Sequence, residues 1–124
     1  MKTENIKFKA KRLDNGEWVK GDLIHSTSYV GISYPSDEFS DVPIVHRVDH
    51  ETVCQFTGLT DCEGNEVWEG DILEGPNIGE ICFNQGAFLI HSIYDNALYS
   101  LSNYTTWDGK ITCKVIGNKF DNKK

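Results

Sequence analysis

The sequence predicts an all-β fold with little or no helix. Residues 55–73, QFTGLTDCEGNEVWEGDIL, place a cluster of turn formers between runs in which apolar and polar side chains alternate. Alternation with a period of two is the signature of a half-buried strand. Gly64 and Asn65 can supply the positive φ that a tight turn needs. Many other short alternating runs follow at close spacing, which is typical of an antiparallel barrel or sandwich.

The first half of the chain contains alternating runs and turn signals that predict four strands. In residues 6–10 apolar side chains alternate with lysines, which suits a strand at a sheet edge with a solvated outer face. Asn15-Gly16 is a strong hairpin signal. Residues 34–43 contain two prolines and several acidic residues, and they are predicted to form a loop. The predicted strands are residues 6–10, 18–24, 26–32 and 44–48.

The second half continues the strand pattern after one predicted turn of helix at residues 49–53. The 55–73 hairpin follows, and residues 94–104 fit helical spacing and strand composition equally well. Asp108-Gly109 is a turn signal before the last strand. The tail after Phe120 is predicted to fray. The remaining predicted elements are a loop at 75–79, strands at 80–83 and 87–92 joined by a short loop at 84–86, and a strand at 111–116.

Two segments of the chain resemble each other. Residues 16–24 read GEWVKGDLI and residues 65–73 read NEVWEGDIL, so that a Gly-Asp pair recurs at Gly21-Asp22 and Gly70-Asp71. The pattern predicts two similar hairpin units, although convergence of unrelated hairpins explains it equally well. One interpretation is that Asp22 and Asp71 form a pair of catalytic carboxylates like that of glycosidases. We favour a structural role, because an Asp after a turn glycine commonly accepts backbone N–H groups.

Charge is unevenly distributed along this acidic chain of net charge −7. Residues 1–47 hold seven basic and seven acidic side chains, whereas residues 48–109 hold eleven acidic residues and no Lys or Arg. Acidic hairpin faces keep a small β protein soluble and oppose edge-to-edge pairing, and they could equally form a partner-binding face. A stretch of this length without a cation is a poor phosphate-binding surface.

Several sequence features indicate the cellular compartment of the protein, and they agree with one another. The chain has no apolar run of about 18 residues that could span a membrane, and its N-terminal residues lack the apolar core of a secretory signal. The cysteines form no C-x-x-C pair and are predicted to be reduced. These features predict a cytoplasmic protein without a membrane segment. The four cysteines are Cys54, Cys62, Cys82 and Cys113.

Few residues form a pattern that indicates a metal-binding or catalytic site. His46, His50 and Cys54 lie at i, i+4 and i+8, a spacing that would place them on one face of a helix as metal ligands. On a strand the first and last would be too far apart for one ion, and surface histidines near a loop are the commoner explanation. Neither a serine-nucleophile motif nor a phosphate-binding glycine loop is present. We therefore predict no catalytic, cofactor-binding or metal-binding residues, and no enzymatic activity.

Four stretches of the chain carry a shared pattern: IKFKAKRLDNGEWVKGDLI, VDHETVCQFTGLTDCEGNEVWEGDIL, GEICFNQGAFLI and VIGNKFDN. Together they resemble the YopX-like family of bacteriophage and prophage proteins. His50 and Cys54 stand where the family usually has Pro and Gly. The resemblance implies an all-β fold in two small subdomains, residues 1–50 and 51–124, the second a barrel of SH3-like or related type, unless the two share one core. It implies no assigned activity, cofactor or ligand.

These observations favour a protein–protein interaction module that either forms a homo-oligomer or engages a host or phage partner. The alternative is a nucleic-acid-associated barrel using the lysines of residues 7–11 and those of the C-terminal tail. Nucleic-acid platforms need exposed aromatic rings beside cations, whereas the aromatic residues on alternating strands are predicted to lie in the core. Those residues are Trp18, Trp68, Phe83 and Phe88.

Overall fold

A computed structural model describes residues 2–37, 40–75 and 79–121. The chain forms two compact units, Met1–Gln55 and Phe56–Lys124, called here the N-terminal and C-terminal units. The named strand pairs are all antiparallel, and helical structure in the described residues is confined to short 3₁₀ turns. The all-β prediction is therefore confirmed. The 3₁₀ turns are Thr3–Asn5, His50–Thr52 and Leu101–Tyr104.

Strands within the described ranges form one six-stranded and one five-stranded sheet. The first has the order β4-β3-β2-β1-β5-β6, and the second has the order β10-β9-β8-β7-β11. Their bounds are β1 (Phe8–Lys11), β2 (Trp18–His25), β3 (Val30–Asp37), β4 (Ser40–Arg47), β5 (Cys54–Thr60), β6 (Glu66–Trp68), β7 (Asp71–Glu74), β8 (Gly79–Asn84), β9 (Ala87–Ser92), β10 (Leu98–Ser100) and β11 (Lys114–Asn118).

The N-terminal unit is a meander of hairpins whose alternation follows the predicted pattern. The first strand, which was predicted to suit a sheet edge, instead lies inside the sheet, where β1 pairs with both β2 and β5. Ala10, Ile32 and Val48 form its buried core. The chain after β1 then reaches the far end of β4, where the Leu13 N–H donates to the Arg47 carbonyl at 3.1 Å. The Asp49 N–H likewise donates to the Lys11 carbonyl at 2.9 Å. These contacts bring the two ends of the β1–β4 meander together.

The predicted loop at residues 34–43 is wrong. Apart from residues 38–39, which lie outside the described ranges, it belongs to the β3–β4 hairpin, in which Pro35 pairs with Pro43. Every second pair of an antiparallel ladder exchanges no hydrogen bonds, so two prolines can face each other there without loss. The predicted strand at 26–32 begins only at Val30, because the Ser26 N–H donates to the Tyr29 carbonyl and closes a turn.

The C-terminal unit packs the five-stranded sheet over a core of seven buried residues. Within the described residues this sheet is open, with β10 and β11 at its edges. The β10 edge is short because the chain leaves this strand for a 3₁₀ turn. At the β11 edge, Asp61 accepts the Val115 N–H, and the Cys62 N–H donates to the Cys113 carbonyl. The core residues are Val67, Leu73, Ile81, Ile90, Leu101, Ile111 and Cys113.

Several local predictions for the C-terminal unit are refined. Residues 94–104 contain both a strand and a 3₁₀ turn, which explains their mixed pattern. The last strand begins at Lys114 rather than at residue 111. Phe88 packs against the core as predicted, but Phe83 is 49% exposed at the end of β8. The predicted loop at 75–79 and the predicted fraying after Phe120 fall partly on residues 76–78 and 122–124, outside the described residues.

Candidate functional site

The histidine and cysteine triplet does not assemble into a site. His46 lies on β4, His50 in a 3₁₀ turn and Cys54 on β5, so that no helix places them on one face. The His46 Nε2 atom is 3.0 Å from the Tyr34 hydroxyl, and the buried Cys54 thiol donates to the Thr52 carbonyl at 3.3 Å. Across the described residues, no three His, Cys, Asp or Glu side chains are arranged to hold a metal ion.

The two Gly-Asp pairs lie in different local structures, so the prediction of two similar units holds only for the hairpins that precede them. Strand β2 runs without interruption through Gly21 and Asp22, and Asp22 is exposed. A Cβ on Gly21 would lie 2.2 Å from the Ser33 carbonyl oxygen, so this glycine permits a close strand approach. Gly70 instead has a φ of 86° and lies between β6 and β7. The following residue, Asp71, is buried.

Asp71 is part of a buried hydrogen-bond network that fixes the break between β6 and β7. Its carboxylate accepts the Trp68 N–H at 2.7 Å and the side-chain amide of Asn118 at 3.0 Å. The side-chain Oδ1 of Asn118 accepts the Phe120 N–H at 3.0 Å. The carboxylate therefore joins a turn in residues 68–71 to the last strand, and the structural interpretation of this aspartate is supported by its contacts.

Asp61 has the same kind of role and is fully buried. Its Oδ1 accepts the N–H groups of Glu63 and Asn65 at 2.9 and 2.8 Å, which closes the turn at residues 61–65, called here the signature turn. Its Oδ2 accepts the Val115 N–H at 3.0 Å, 54 positions away. Burial alone would raise the pKa of Asp61, but the hydrogen bonds from Val115, Asn65 and Glu63 outweigh it and hold the pKa below its ordinary value.

None of the four cysteines is in a disulfide, in agreement with the sequence prediction. Cys54 and Cys113 are buried and Cys62 is exposed in the signature turn. Burial, reinforced by the nearby carboxylates of Glu80 and Glu69, raises the pKa of the Cys82 thiol. A raised pKa leaves this thiol protonated near neutral pH and therefore a weak nucleophile.

These features define a class: a two-unit antiparallel β protein whose buried carboxylates hold turns and strands together. A family model described as YopX protein matches residues 7–124. The chain therefore belongs to the YopX family, and the resemblance of its four motifs is confirmed. No curated protein matches the chain. None of the helical segments in the described ranges is long and apolar enough to cross a membrane.

One aromatic residue of the C-terminal unit stands out by its exposure. Trp107 is 98% exposed at the tip of the turn before Ile111. The turn is closed by the Thr106 N–H donating to the Lys110 carbonyl at 2.7 Å and the Gly109 N–H donating to the Thr106 carbonyl at 3.1 Å. The Thr106 hydroxyl also donates to the Asp108 carboxylate, which lowers the pKa of Asp108.

Strand β5 anchors this turn at its base. The Thr60 N–H donates to the Gly109 carbonyl at 3.1 Å, and the Ile111 N–H donates to the Thr60 carbonyl at 2.8 Å. Gly109 has a φ of 82°, a conformation that glycine adopts without strain. The sequence predicted the turn from Asp108-Gly109, but strand alternation carries no information about exposure at a turn tip. The position of Trp107 was therefore missed.

The N-terminal unit contains an open depression of about 600 Å³ where β2, β3 and β4 end. The Arg47 guanidinium lies 4.8 Å from the centre of the Tyr29 ring at this depression. Sequence reasoning missed this depression, because its residues come from separate strand ends with no shared motif. They are Leu13, Asp49, His50 and residues 25–30 and 47–48.

Proposed function

We propose that this YopX family member is a non-enzymatic protein-binding module of phage or prophage origin that acts in the cytoplasm of a bacterial host. The observation that carries the proposal is the nearly complete exposure of Trp107 on a turn fixed by hydrogen bonds. Trp is among the residues most enriched at the energetic centres of protein interfaces.

Burial of the Trp107 ring by a partner would remove a large apolar area from water. An aromatic side chain buries about 200 Å², which corresponds to roughly 5 kcal/mol at ~25 cal/mol per Å² before the costs of association are subtracted. Four backbone hydrogen bonds already order the turn that carries the ring. Little conformational entropy is therefore lost on binding, which favours affinity.

Charge around Trp107 favours a basic partner. The residue lies within the 48–109 stretch, which has eleven acidic residues and no Lys or Arg. Its neighbour Asp108 has a lowered pKa and stays ionised, and Lys110 contributes one cation to the same turn. Complementary charge around an apolar anchor chiefly accelerates association and selects among partners. We therefore propose a host or phage protein with a basic rim around an apolar pocket. Self-association through this turn would require a basic surface elsewhere on the same chain.

The buried carboxylates support a non-enzymatic role. Both Asp61 oxygens accept hydrogen bonds from residues 63, 65 and 115. Asp71 accepts bonds from Trp68 and Asn118. An acid or base in catalysis needs a proton-transfer partner within reach of a substrate, and these carboxylates are instead bound to backbone and amide donors.

The nucleic-acid alternative has weaker support. The ammonium groups of Lys9 and Lys11 lie 4.5 and 5.4 Å from the Trp18 ring centre, so these lysines of the first strand are already engaged within the unit. Trp18 is only partly exposed. A single-strand platform would need this ring open to base stacking.

Affinity capture from host lysate tests the proposal. Wild-type protein, Trp107→Ala and Ile93→Ala serve as baits, because Ile93 is a second exposed apolar residue of the C-terminal unit on a different turn. We expect Ile93→Ala to recover the wild-type partner and Trp107→Ala to recover at least about tenfold less, as hot-spot truncations do. Equal recovery by Trp107→Ala would show that the ring is not the anchor.

A further inference from the structure

We infer that the depression at the ends of β2, β3 and β4 binds a small organic oxyanion, a phosphate ester or a carboxylate, with Arg47 as its main ligand. This site lies in the N-terminal unit and does not depend on the proposed role of Trp107. Its volume of about 600 Å³ falls within the range of small-molecule sites.

Strand pairing brings the lining residues together. His25 at the end of β2 pairs with Val30 at the start of β3. Gly31 then pairs with Arg47 at the end of β4, and the Val48 N–H donates to the Val30 carbonyl at 3.0 Å. Three strand ends are therefore held in register around the depression. The turn between β2 and β3, which forms one wall, is closed by a backbone bond from residue 26 to residue 29.

The charge of Arg47 has no carboxylate partner among the described residues, whereas the other arginine of the chain does. Arg12 donates to Asp14 through Nε at 2.9 Å and Nη2 at 2.7 Å. Asp49 also lines the depression, and its negative charge opposes an anion there, although its Oδ1 is bonded to the Glu51 N–H at 3.0 Å. Arg47 instead stacks on Tyr29, which orients the guanidinium and leaves its N–H groups available. A guanidinium held in this way is suited to bidentate binding of an oxyanion.

The other lining groups match the same class of ligand. Ser26, Thr27 and Ser28, which carry hydroxyl groups, and His25 and His50, which carry imidazoles, line the depression. Both kinds of group can donate hydrogen bonds to an oxyanion. Leu13, Tyr29, Val30 and Val48 contribute apolar surface, against which the hydrocarbon part of a ligand can pack. A ligand with an apolar body and one oxyanion group therefore matches the residues that line the depression.

Amide NMR of the ¹⁵N-labelled full-length chain tests this inference. Phenyl phosphate, benzoate and uncharged benzyl alcohol are titrated separately at millimolar concentration. We expect at least one anion to shift the amide signals of residues 26–29 in a saturable manner, with the alcohol causing no such shift. Saturation by both anions indicates a general oxyanion site, and saturation by one identifies the headgroup. The inference is overturned if neither anion saturates, or if the alcohol produces the same shifts.

Two arginine variants provide the matched comparison. Arg47→Gln should weaken binding by at least about tenfold, equivalent to about 1.4 kcal/mol, and Arg12→Gln should bind as the wild type does, because Arg12 is paired with Asp14. Arg47→Lys keeps the charge but loses the planar donor fork, so it should bind more weakly than the wild type even if Arg47→Gln fails to fold. Wild-type affinity in either Arg47 variant would overturn the inference.

Discussion

At the scale of single residues, two buried aspartates organise the C-terminal unit. Asp61 accepts four hydrogen bonds, including one from Val115 in the last strand. Asp71 joins the β6–β7 break to Asn118 in that same strand. A buried carboxylate is stable only when its oxygens are satisfied, so each aspartate requires the turn and the strand to be in place together.

Substitution of Asp61 tests this coupling. In Asp61→Asn the amide nitrogen replaces one acceptor and leaves a buried donor such as the Val115 N–H without a partner. We expect a loss of about 1–3 kcal/mol in the free energy of unfolding, measured by urea denaturation. Asp22→Asn, on an exposed position of β2, should change stability by no more than ~0.5 kcal/mol. Equal stability of the two variants would contradict a structural role for Asp61.

The lowered pKa of Asp61 also predicts a pH dependence. A carboxylate whose pKa is lower in the folded state binds protons more readily when unfolded, so it stabilises the fold at pH values above its unfolded pKa of about 3.9. That contribution is lost as the pH falls from about 4 through the folded pKa. Urea midpoints measured across this acidic range should fall more steeply for the wild type than for Asp61→Asn. Parallel slopes would show that Asp61 titrates alike in both states.

At the scale of elements, the same Gly-Asp sequence occurs in two different strand geometries. Gly21 permits a close approach between β2 and β3, whereas Gly70 has a φ of 86° and lies between β6 and β7. The surrounding residues decide the outcome: Asp71 finds Trp68 and Asn118 as buried donors, whereas Asp22 remains exposed. Local sequence likeness therefore does not determine whether a strand continues or breaks.

The positive φ at Gly70 leads to a third prediction. Gly70→Val forces a β-branched side chain into a left-handed conformation and should destabilise the protein by about 1–3 kcal/mol. Asp71→Asn keeps an acceptor for the Trp68 N–H but places an amide donor opposite the Asn118 amide, so it should also cost about 1–3 kcal/mol, as Asp61→Asn does. Thermal unfolding of both variants makes the comparison. A Gly70→Val variant as stable as the wild type would mean that this glycine conformation is not required.

The sequence predicted the hairpins with alternating side chains and tight turns correctly. It missed the hairpin containing Pro35 and Pro43, because proline composition argues for a loop unless the strand register is known. It also missed the bond from Val115 to Asp61, since the partner lies 54 positions away. The sequence also did not predict the roles of Trp107 and Arg47. The exposure of Trp107 at a turn tip and the convergence of strand ends at Arg47 both depend on tertiary structure.

At the scale of the whole molecule, the two units present different surfaces. The C-terminal unit places an exposed Trp107 in an acidic stretch, and the N-terminal unit holds Arg47 beside a polar depression. The first suits a protein partner and the second a small anion. Because the two features lie in separate units, substitution at one should leave binding at the other unchanged.

Site-specific photo-crosslinking inside the host cell tests the protein-binding role most directly. A photoreactive phenylalanine derivative replaces Trp107 in one variant and Ile93 in another, both exposed in the C-terminal unit. An aromatic probe at an interface centre lies within reach of the partner. We predict a discrete crosslinked species from position 107 and a much weaker one from position 93. Absence of a crosslink at 107, or equal crosslinking from both positions, would contradict binding through the Trp107 turn.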